Sequence, residues 1–496
     1  MATPPTTDEL LRNGREFLRM ELSSLALDQA EAVLANEPES KDALLLKGDV
    51  LLKANDNLAA ANIFERLTQL DPRSAEYAGR ATNSLMLGGS LERALDHAET
   101  FKKLSNGWPG ALLMISNIHE RSGNTEQAWE AIHSAPLGEE FVGGVASLAP
   151  RLLMQEKKYG EAIDVIKNYL DWAKTNVANP EANDSPVVDA WFMLAKAYDR
   201  LGEYDQAWES AATAHDISDV TWDSKSNAKI NQTICDLMTH ENVRALAHAS
   251  EHHEEPVFIV GNPRSGTSLL EQILSMHPEV ENAGELVVSA SVIHRASKTI
   301  DSFNPYPACL VDMRVEDANA MARQYMDATK WMTSNPARIT NKSLSLHNQA
   351  GFLSLILPKS RMIMLHRHPL DNCISCYTTN LVATRHHYTN QLKWLAQMWI
   401  QRHELQEYWT QTLEIEMMDL HYDKLVVDQE NETRKLLEFL GLSWEDACLN
   451  FHKSKRVAAT ISYDQVNKKM YTSSSGRWKN YEKHIGPLID ALGDYL

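Results

Sequence analysis

A chain of 496 residues exceeds one ordinary domain, and at about 150 residues per domain it holds two to four. Its net charge of −19 is uneven: residues 1–250 carry 38 acidic and 23 basic side chains, leaving 29 acidic and 25 basic beyond. That surplus excludes nucleic-acid backbone binding by the first half, which would need clustered Lys and Arg, and five irregularly spaced cysteines exclude a disulfide framework.

The acidic half reads as a well-hydrated surface, with a groove for basic peptides as the alternative. No basic-then-apolar leader opens the sequence and no run of 18 apolar residues occurs, so the expected compartment is the cytoplasm, without membrane contact.

In chain order, the first 220 residues read as helix after helix, and they repeat. Small residues recur at Ala61, Ala94, Ala128 and Ala162, at spacings of 33, 34 and 34, and again at Ala207 after 45. Gly89, Gly123 and Gly202 each lie five residues before one of these alanines. A period of 34 is the length of a helix, turn, helix unit in which glycine ends the first helix and a small side chain lets the second pack closely. About five or six units fit residues 10–220, with "TNVANPEANDSP" (175–186) looping out of the array to account for the longer gap. Segments such as "AYDRLGEYDQAWESA" (197–211) resemble the tetratricopeptide repeat. The resemblance implies an all-α solenoid over residues 1–225 that binds a peptide or protein, self-associates into a homodimer, or braces its neighbour.

Residues 226–254 loosen the pattern, and "HASEHHEEP" (248–256) is polar enough for a linker. From residue 255 to 496, short apolar runs such as "VFIVG" and "RMIMLH" alternate with helical stretches such as "SLLEQILSMH". That is the pattern of parallel strands with crossover helices, an α/β domain.

Within it, "GNPRSGTS" (261–268) follows a buried strand and opens a helix. Backbone N–H groups in such a turn converge on one point, and the helix N-terminus adds partial positive charge, so the loop suits phosphate or sulfate. In a nucleoside-triphosphate loop a lysine follows the second glycine; here that position is Thr267. The cation sits inside the loop at Arg264, whose planar fork suits a bidentate oxyanion contact. "RMIMLHRHPLDNCISCY" (361–377) holds a second anion candidate: Arg367 at the end of a strand, Pro369 at a first helical position and Ser375 two turns on. Cys373 and Cys376 form a CxxC without a second pair to complete a metal site, so they read as helical residues.

A strand ending in P-R-S-G-T, followed about 100 residues later by a strand ending in Arg and a helix bearing Ser, resembles the sulfotransferases that use 3′-phosphoadenosine-5′-phosphosulfate. The match is nearest the branch of the tyrosylprotein sulfotransferases and the bacterial tetratricopeptide-repeat sulfotransferases. It also draws on "HPEVENAGEL" (277–286), "TNKS" (340–343), "HYDKLVVD" (421–428), "ISYDQV" (461–466) and "SSGRWKNYEKHIGPL" (474–488). Asp423 stands where the family often has Glu, and "NKKMY" (467–471) lacks the usual proline.

The resemblance implies a P-loop-like α/β domain with a parallel sheet, this donor as co-substrate and no metal. It assigns the 5′ end of the donor to Pro263, Arg264, Ser265, Gly266, Thr267 and Ser268, and its 3′-phosphate to Arg367 and Ser375. Tyr422 would neighbour the adenine, and Arg477 the phosphates. Lys342 would steady the bridging oxygen, Ser462 would donate to the sulfuryl oxygens, and Glu285 would be the general base. His277 is its rival, read instead as a helix cap. A phenol near pKa 10 and a carboxylic acid near 4.3 lie roughly 6 units apart, about 8 kcal/mol, so proton loss is expected to be concerted with O–S bond formation. The acceptor stays open among peptide tyrosine, a carbohydrate hydroxyl and a small phenol or alcohol. A kinase and a non-catalytic nucleotide-binding scaffold are the alternatives.

Overall fold

The computed structural model describes residues 5–496 except 21, 55, 136–137, 139–140, 179–184, 287, 330–335, 385, 454–468 and 471–472. The described residues fall into two compact units that divide between Gln155 and Glu156.

The first unit is helical from Thr7–Arg19 through Val142–Gln155, each helix packing on its neighbours in sequence. The repeat residues do what their spacing implies. Ala61, Ala94 and Ala128 are fully buried where helices cross, and Gly89 and Gly123 take left-handed φ values of 78° and 76° in the turns before them. Short side chains at the crossings let helix axes approach, which lets Leu44, Phe64 and Leu85 fill the layers between.

The second unit opens with three more such helices, Tyr159–Asn176, Pro186–Leu201 and Tyr204–Ile217, with Ala162 and Ala207 again fully buried. Residues 179–184 of the expected looping-out stretch lie outside the described residues. Val188, Phe192, Trp208 and Ala211 share one core with Leu370, Ile374, Tyr377, Leu395, Tyr481 and Leu488. Trp208 stacks on Tyr377 at 4.7 Å, and His215 Nε2 lies 2.9 Å from the Tyr377 carbonyl. The expected boundary at residue 225 therefore follows helices already packed into the α/β core. The expected linker at 226–254 is also corrected: Ser224–Leu237 and His240–Ala245 are helices, and Ile234, Met238, Val243 and Ala249 join the core on one sheet face. Polar composition misled because only one narrow side of these helices is apolar.

Among the described residues, five parallel strands form the sheet: β1 Pro256–Gly261, β2 Val280–Asn282, β3 Arg338–Asn341, β4 Arg361–His366 and β5 Glu416–His421, in the order β2-β3-β1-β4-β5. Alternation along the strands divides the core in two. Phe258, Val260, Met362 and Met364 face the Leu346–Ile356 and Leu392–Thr412 helices. Val257, Ile259, Ile363 and Leu365 face the Thr267–Leu274 and Gln429–Phe439 helices. Both faces of β1 and β4 are thus covered, which is why they read as unbroken apolar runs. β5 carries exposed Glu416, Asp419 and His421, charged or polar side chains that blunt a sheet edge.

Two histidines in this unit are held uncharged. Burial, reinforced by the Arg402 guanidinium, pushes His386 down to about 4 and His347 well below its ordinary value. Unfolded imidazole takes up a proton near pH 6.5, so their contribution is full above that pH and is lost as pH falls toward the folded value. From pH 7 to 5, His386 alone is expected to cost about 2 kcal/mol of stability. Urea denaturation at the two pH values should show a smaller acid loss, by about that amount, in His386→Asn than in the wild type.

Candidate active site

In a parallel sheet, backbone and side chains gather at the carboxyl ends of the strands where the strand order reverses. Here β1 is the central strand: the chain goes from it to the far strand β2, returns to β3, and crosses over to β4 and then β5 on the other side. The predicted site residues follow strand ends in the order of the sheet. Glu285 follows β2, Lys342 follows β3, the loop from Asn262 to Gly266 follows β1, Arg367 follows β4 and Tyr422 follows β5. At about 4.8 Å between strands, this edge spans roughly 19 Å.

The loop after β1 is tightly made. Arg264 has a left-handed φ of 65°, a conformation costing a non-glycine residue about 1–3 kcal/mol. Gly266 has φ 107°, and a Cβ there would lie 2.4 Å from the Tyr422 ring, so only glycine lets that ring close over the loop. Thr267 and Ser268 open the Thr267–Leu274 helix, whose N-terminus faces the turn. The Pro263 carbonyl accepts from Asn372 Nδ2 at 2.8 Å and from the Cys376 thiol at 3.3 Å. Burial pushes that thiol up to about 12, so it stays protonated and donates.

Arg264 Nε donates to Ser375 Oγ at 3.1 Å, and Arg367 donates to the Arg264 carbonyl at 2.6 Å and the Ser474 carbonyl at 2.9 Å. The Arg367 guanidinium lies 4.8 Å from the centre of the Tyr422 ring, whose hydroxyl is 2.7 Å from Ser474 Oγ. Arg264, Gly266, Arg367, Ser375 and Tyr422 therefore form one contact cluster, with Pro263 and Ser265 in the same loop. Two donors here, Ser265 Oγ and Arg367 Nε, are buried with no partner among the described residues. Buried donors beside two guanidinium groups and a helix N-terminus fit an anionic ligand with more than one charged group.

Across β1, Lys342 is buried to 2% side-chain exposure and its ammonium lies 2.9 Å from Glu285 Oε1, on a carboxylate that is 43% exposed. A buried cation is thus paired with a carboxylate that reaches solvent. His277 is elsewhere: its Nδ1 accepts from the Glu279 amide at 3.2 Å in the turn before β2, and its Nε2 lies 3.0 Å from the Ser443 carbonyl, while the helix before it is capped at Ser275.

Arg477 is engaged away from this cluster, in an ion pair with Asp199, which also accepts from the Tyr481 hydroxyl at 2.6 Å. The turn just before it does reach the pocket. Besides the Ser474 contacts, Ser475 Oγ donates to Asp423 at 2.6 Å, and the Gly476 and Trp478 amides donate to Asp371 at 2.6 and 2.8 Å. Asp423, a departure from the family pattern, also accepts from the His368 amide at 2.9 Å and so ties the end of β4 to this turn. Ser462 lies outside the described residues.

Sequence reasoning missed Asp371, Asn372 and Cys376 as supports. Asp371, at the third position of the Pro369–Tyr377 helix, carried a signal: a carboxylate in a first turn is set to accept backbone amides. Asn372 and Cys376, one turn apart, grip the same carbonyl.

The chain matches the sulfotransferase family over residues 256–446 and the tetratricopeptide repeat over 11–75, 46–109 and 188–214. It is 25% identical, over 98% of its length, to an uncharacterized protein of Aquifex aeolicus (strain VF5), spanning 60% of that protein. It is also 25% identical, over 52% of its length, to protein-tyrosine sulfotransferase 2 of Gallus gallus, spanning 76% of it. Among solved structures, the sulfotransferase domain of the Synechococcus PCC 7002 olefin synthase is similar at 18% identity with a TM-score of 0.35, covering 47% of this chain and 90% of that one. The strands, loop and helices that gather Arg264, Lys342, Arg367 and Tyr422 lie within the matched segment, so residues 256–446 are similar to the sulfotransferase family and the segments before them to tetratricopeptide repeats.

Proposed function

We propose that the chain is an enzyme that moves a sulfuryl group from 3′-phosphoadenosine-5′-phosphosulfate to an acceptor hydroxyl, with peptide tyrosine as the acceptor. One observation carries the reading: a multi-anion pocket and a carboxylate–ammonium pair lie side by side along one sheet edge. The names of the protein-tyrosine sulfotransferase relatives support the acceptor.

Sulfuryl transfer, like phosphoryl transfer, asks the protein mainly to align groups and stabilise charge. When bound, the donor supplies the sulfuryl group. Arg264, Ser265 and the loop amides hold its 5′ end, and Arg367 and Ser375 its 3′-phosphate, with the Tyr422 ring as a wall. Glu285 accepts the proton of the acceptor hydroxyl. Lys342 offers its ammonium to the negative charge left on the phosphate-side oxygen, releasing Glu285 from the ion pair as it does so. Asp199 and Asp371 hold the C-terminal turn over the pocket. In the helices at 159–217, a groove of about 420 Å³ lined by Lys167, Trp191, Tyr198, Gln206 and Glu209 supports a peptide seat for the acceptor.

Adenosine 3′,5′-bisphosphate without Mg²⁺, at 100 times its dissociation constant, is expected to stabilise the folded protein by about 2.7 kcal/mol in a thermal-shift assay. Mg–ATP should give none. The reverse pattern would assign the loop to a nucleoside triphosphate, and binding without any donor turnover would leave a scaffold.

A further inference from the structure

Next to the Glu285–Lys342 pair in sequence lies a buried polar network that takes in the Lys342 backbone amide but neither side chain of the pair. Glu271, on the Thr267–Leu274 helix, is 6% exposed. Its Oε1 accepts from the Gly284 amide at 3.0 Å and from the Thr340 hydroxyl at 3.1 Å. The carbonyl of Glu271 accepts from Asn282 Nδ2 at 3.0 Å, and Asn282 Oδ1 is 3.1 Å from the same Thr340 hydroxyl. The Gly284 carbonyl in turn accepts from the Lys342 amide at 2.8 Å. Gly284 is therefore held on both sides, by Glu271 through its N–H and by Lys342 through its C=O, in a left-handed turn of φ 68°.

That turn sets the direction in which the next residue, Glu285, leaves the backbone, while Thr340 lies two residues before Lys342. We infer that Glu271 is a positioning residue for the Glu285–Lys342 pair, fixing the base and the ammonium relative to the helix that opens at the anion loop. The inference rests on the sulfotransferase reading. Glu285 is 43% exposed, so its carboxylate is kept over Lys342 by the ion pair itself and by the backbone turn that aims it. Misplacement by about 1 Å costs about 100-fold in a reaction governed by alignment. The Glu271 carboxylate reaches the pair through the Gly284 amide and the Thr340 hydroxyl.

The test compares Glu271→Ala, which removes the acceptor, Glu271→Asp, which keeps the charge but withdraws it by one methylene, and Glu271→Gln, which keeps an oxygen in place. Alanine and aspartate are expected to lower kcat by about 10- to 100-fold, with KM for donor and affinity for adenosine 3′,5′-bisphosphate within about twofold of wild type. Glutamine is expected to recover most of kcat. Hydrogen exchange at the Gly284 amide should be about tenfold faster in the alanine and aspartate variants and unchanged in the glutamine variant. Equal exchange in all four proteins overturns the positioning role whatever the reaction is. A drop in donor affinity that parallels kcat would also overturn it, by making Glu271 a support of the anion loop. Wild-type protein that transfers nothing refutes the sulfotransferase reading, while exchange still decides whether Glu271 orders the turn.

Discussion

Glu285→Gln is expected to lower kcat by about 10²- to 10⁴-fold while leaving affinity for adenosine 3′,5′-bisphosphate within about twofold, the signature of a lost general base rather than a lost binding contact. Glutamine is the informative substitution because of Lys342. That ammonium is 2% exposed and lies 2.9 Å from Glu285 Oε1, so alanine would leave a buried charge without its counter-ion and confound chemistry with stability. Glutamine keeps an oxygen for the ammonium and cannot take a proton. Activity within about threefold of wild type would remove Glu285 from the proton path.

Lys342→Met provides the companion measurement. Removing it leaves a half-hydrated carboxylate, which tolerates isolation, so stability should change little while kcat falls with the loss of charge stabilisation. Because the two groups are paired in the resting site, their effects are coupled, and the double variant should fall no lower than the worse single one.

The pocket was legible in the sequence wherever a local pattern carries a local consequence. A glycine-bracketed loop between an apolar run and a helix has few conformations, so the Arg264 loop could be read directly, and Arg367 and Ser375 were read from a strand end and helical spacing. The repeat was legible for the same reason: Ala61, Ala94 and Ala128 recur at the spacing of a unit whose crossings exclude larger side chains. What escaped was set by tertiary pairing. Asp199 meets Arg477 across 278 positions, and Glu271 meets Gly284 through a fold that no spacing announces. The helices at 224–245 looked like a linker because their buried face is a few apolar residues wide, enough to dock on a sheet but too few to register as a periodic pattern. The place where the compact units divide was unreadable for a related reason: the helices at 186–217 keep the repeat's own pattern while sharing a core with the α/β helices.

Arg367→Ala is expected to weaken adenosine 3′,5′-bisphosphate binding by about 10- to 10⁴-fold, the value of one or two charge-assisted hydrogen bonds at about 1.5–3 kcal/mol each. Arg367 has two tasks that lysine can only partly replace. Its Nη atoms tie the Arg264 carbonyl to Ser474, and its planar face lies on Tyr422, while the buried Nε remains for ligand. Arg367→Lys keeps the charge but not the fork or the stacking, so it should bind at an intermediate level. Arg477→Ala is the control, measured by titration alongside it. The family position of Arg477 implies a direct phosphate contact, whereas its guanidinium is paired with Asp199. If the pairing governs, Arg477→Ala and Asp199→Ala should weaken binding by similar, smaller amounts, because each loosens the turn that Asp371 also holds. If Arg477→Ala instead matches Arg367→Ala while Asp199→Ala binds as wild type, Arg477 leaves its partner for the ligand, and the donor pocket contains three arginines rather than two.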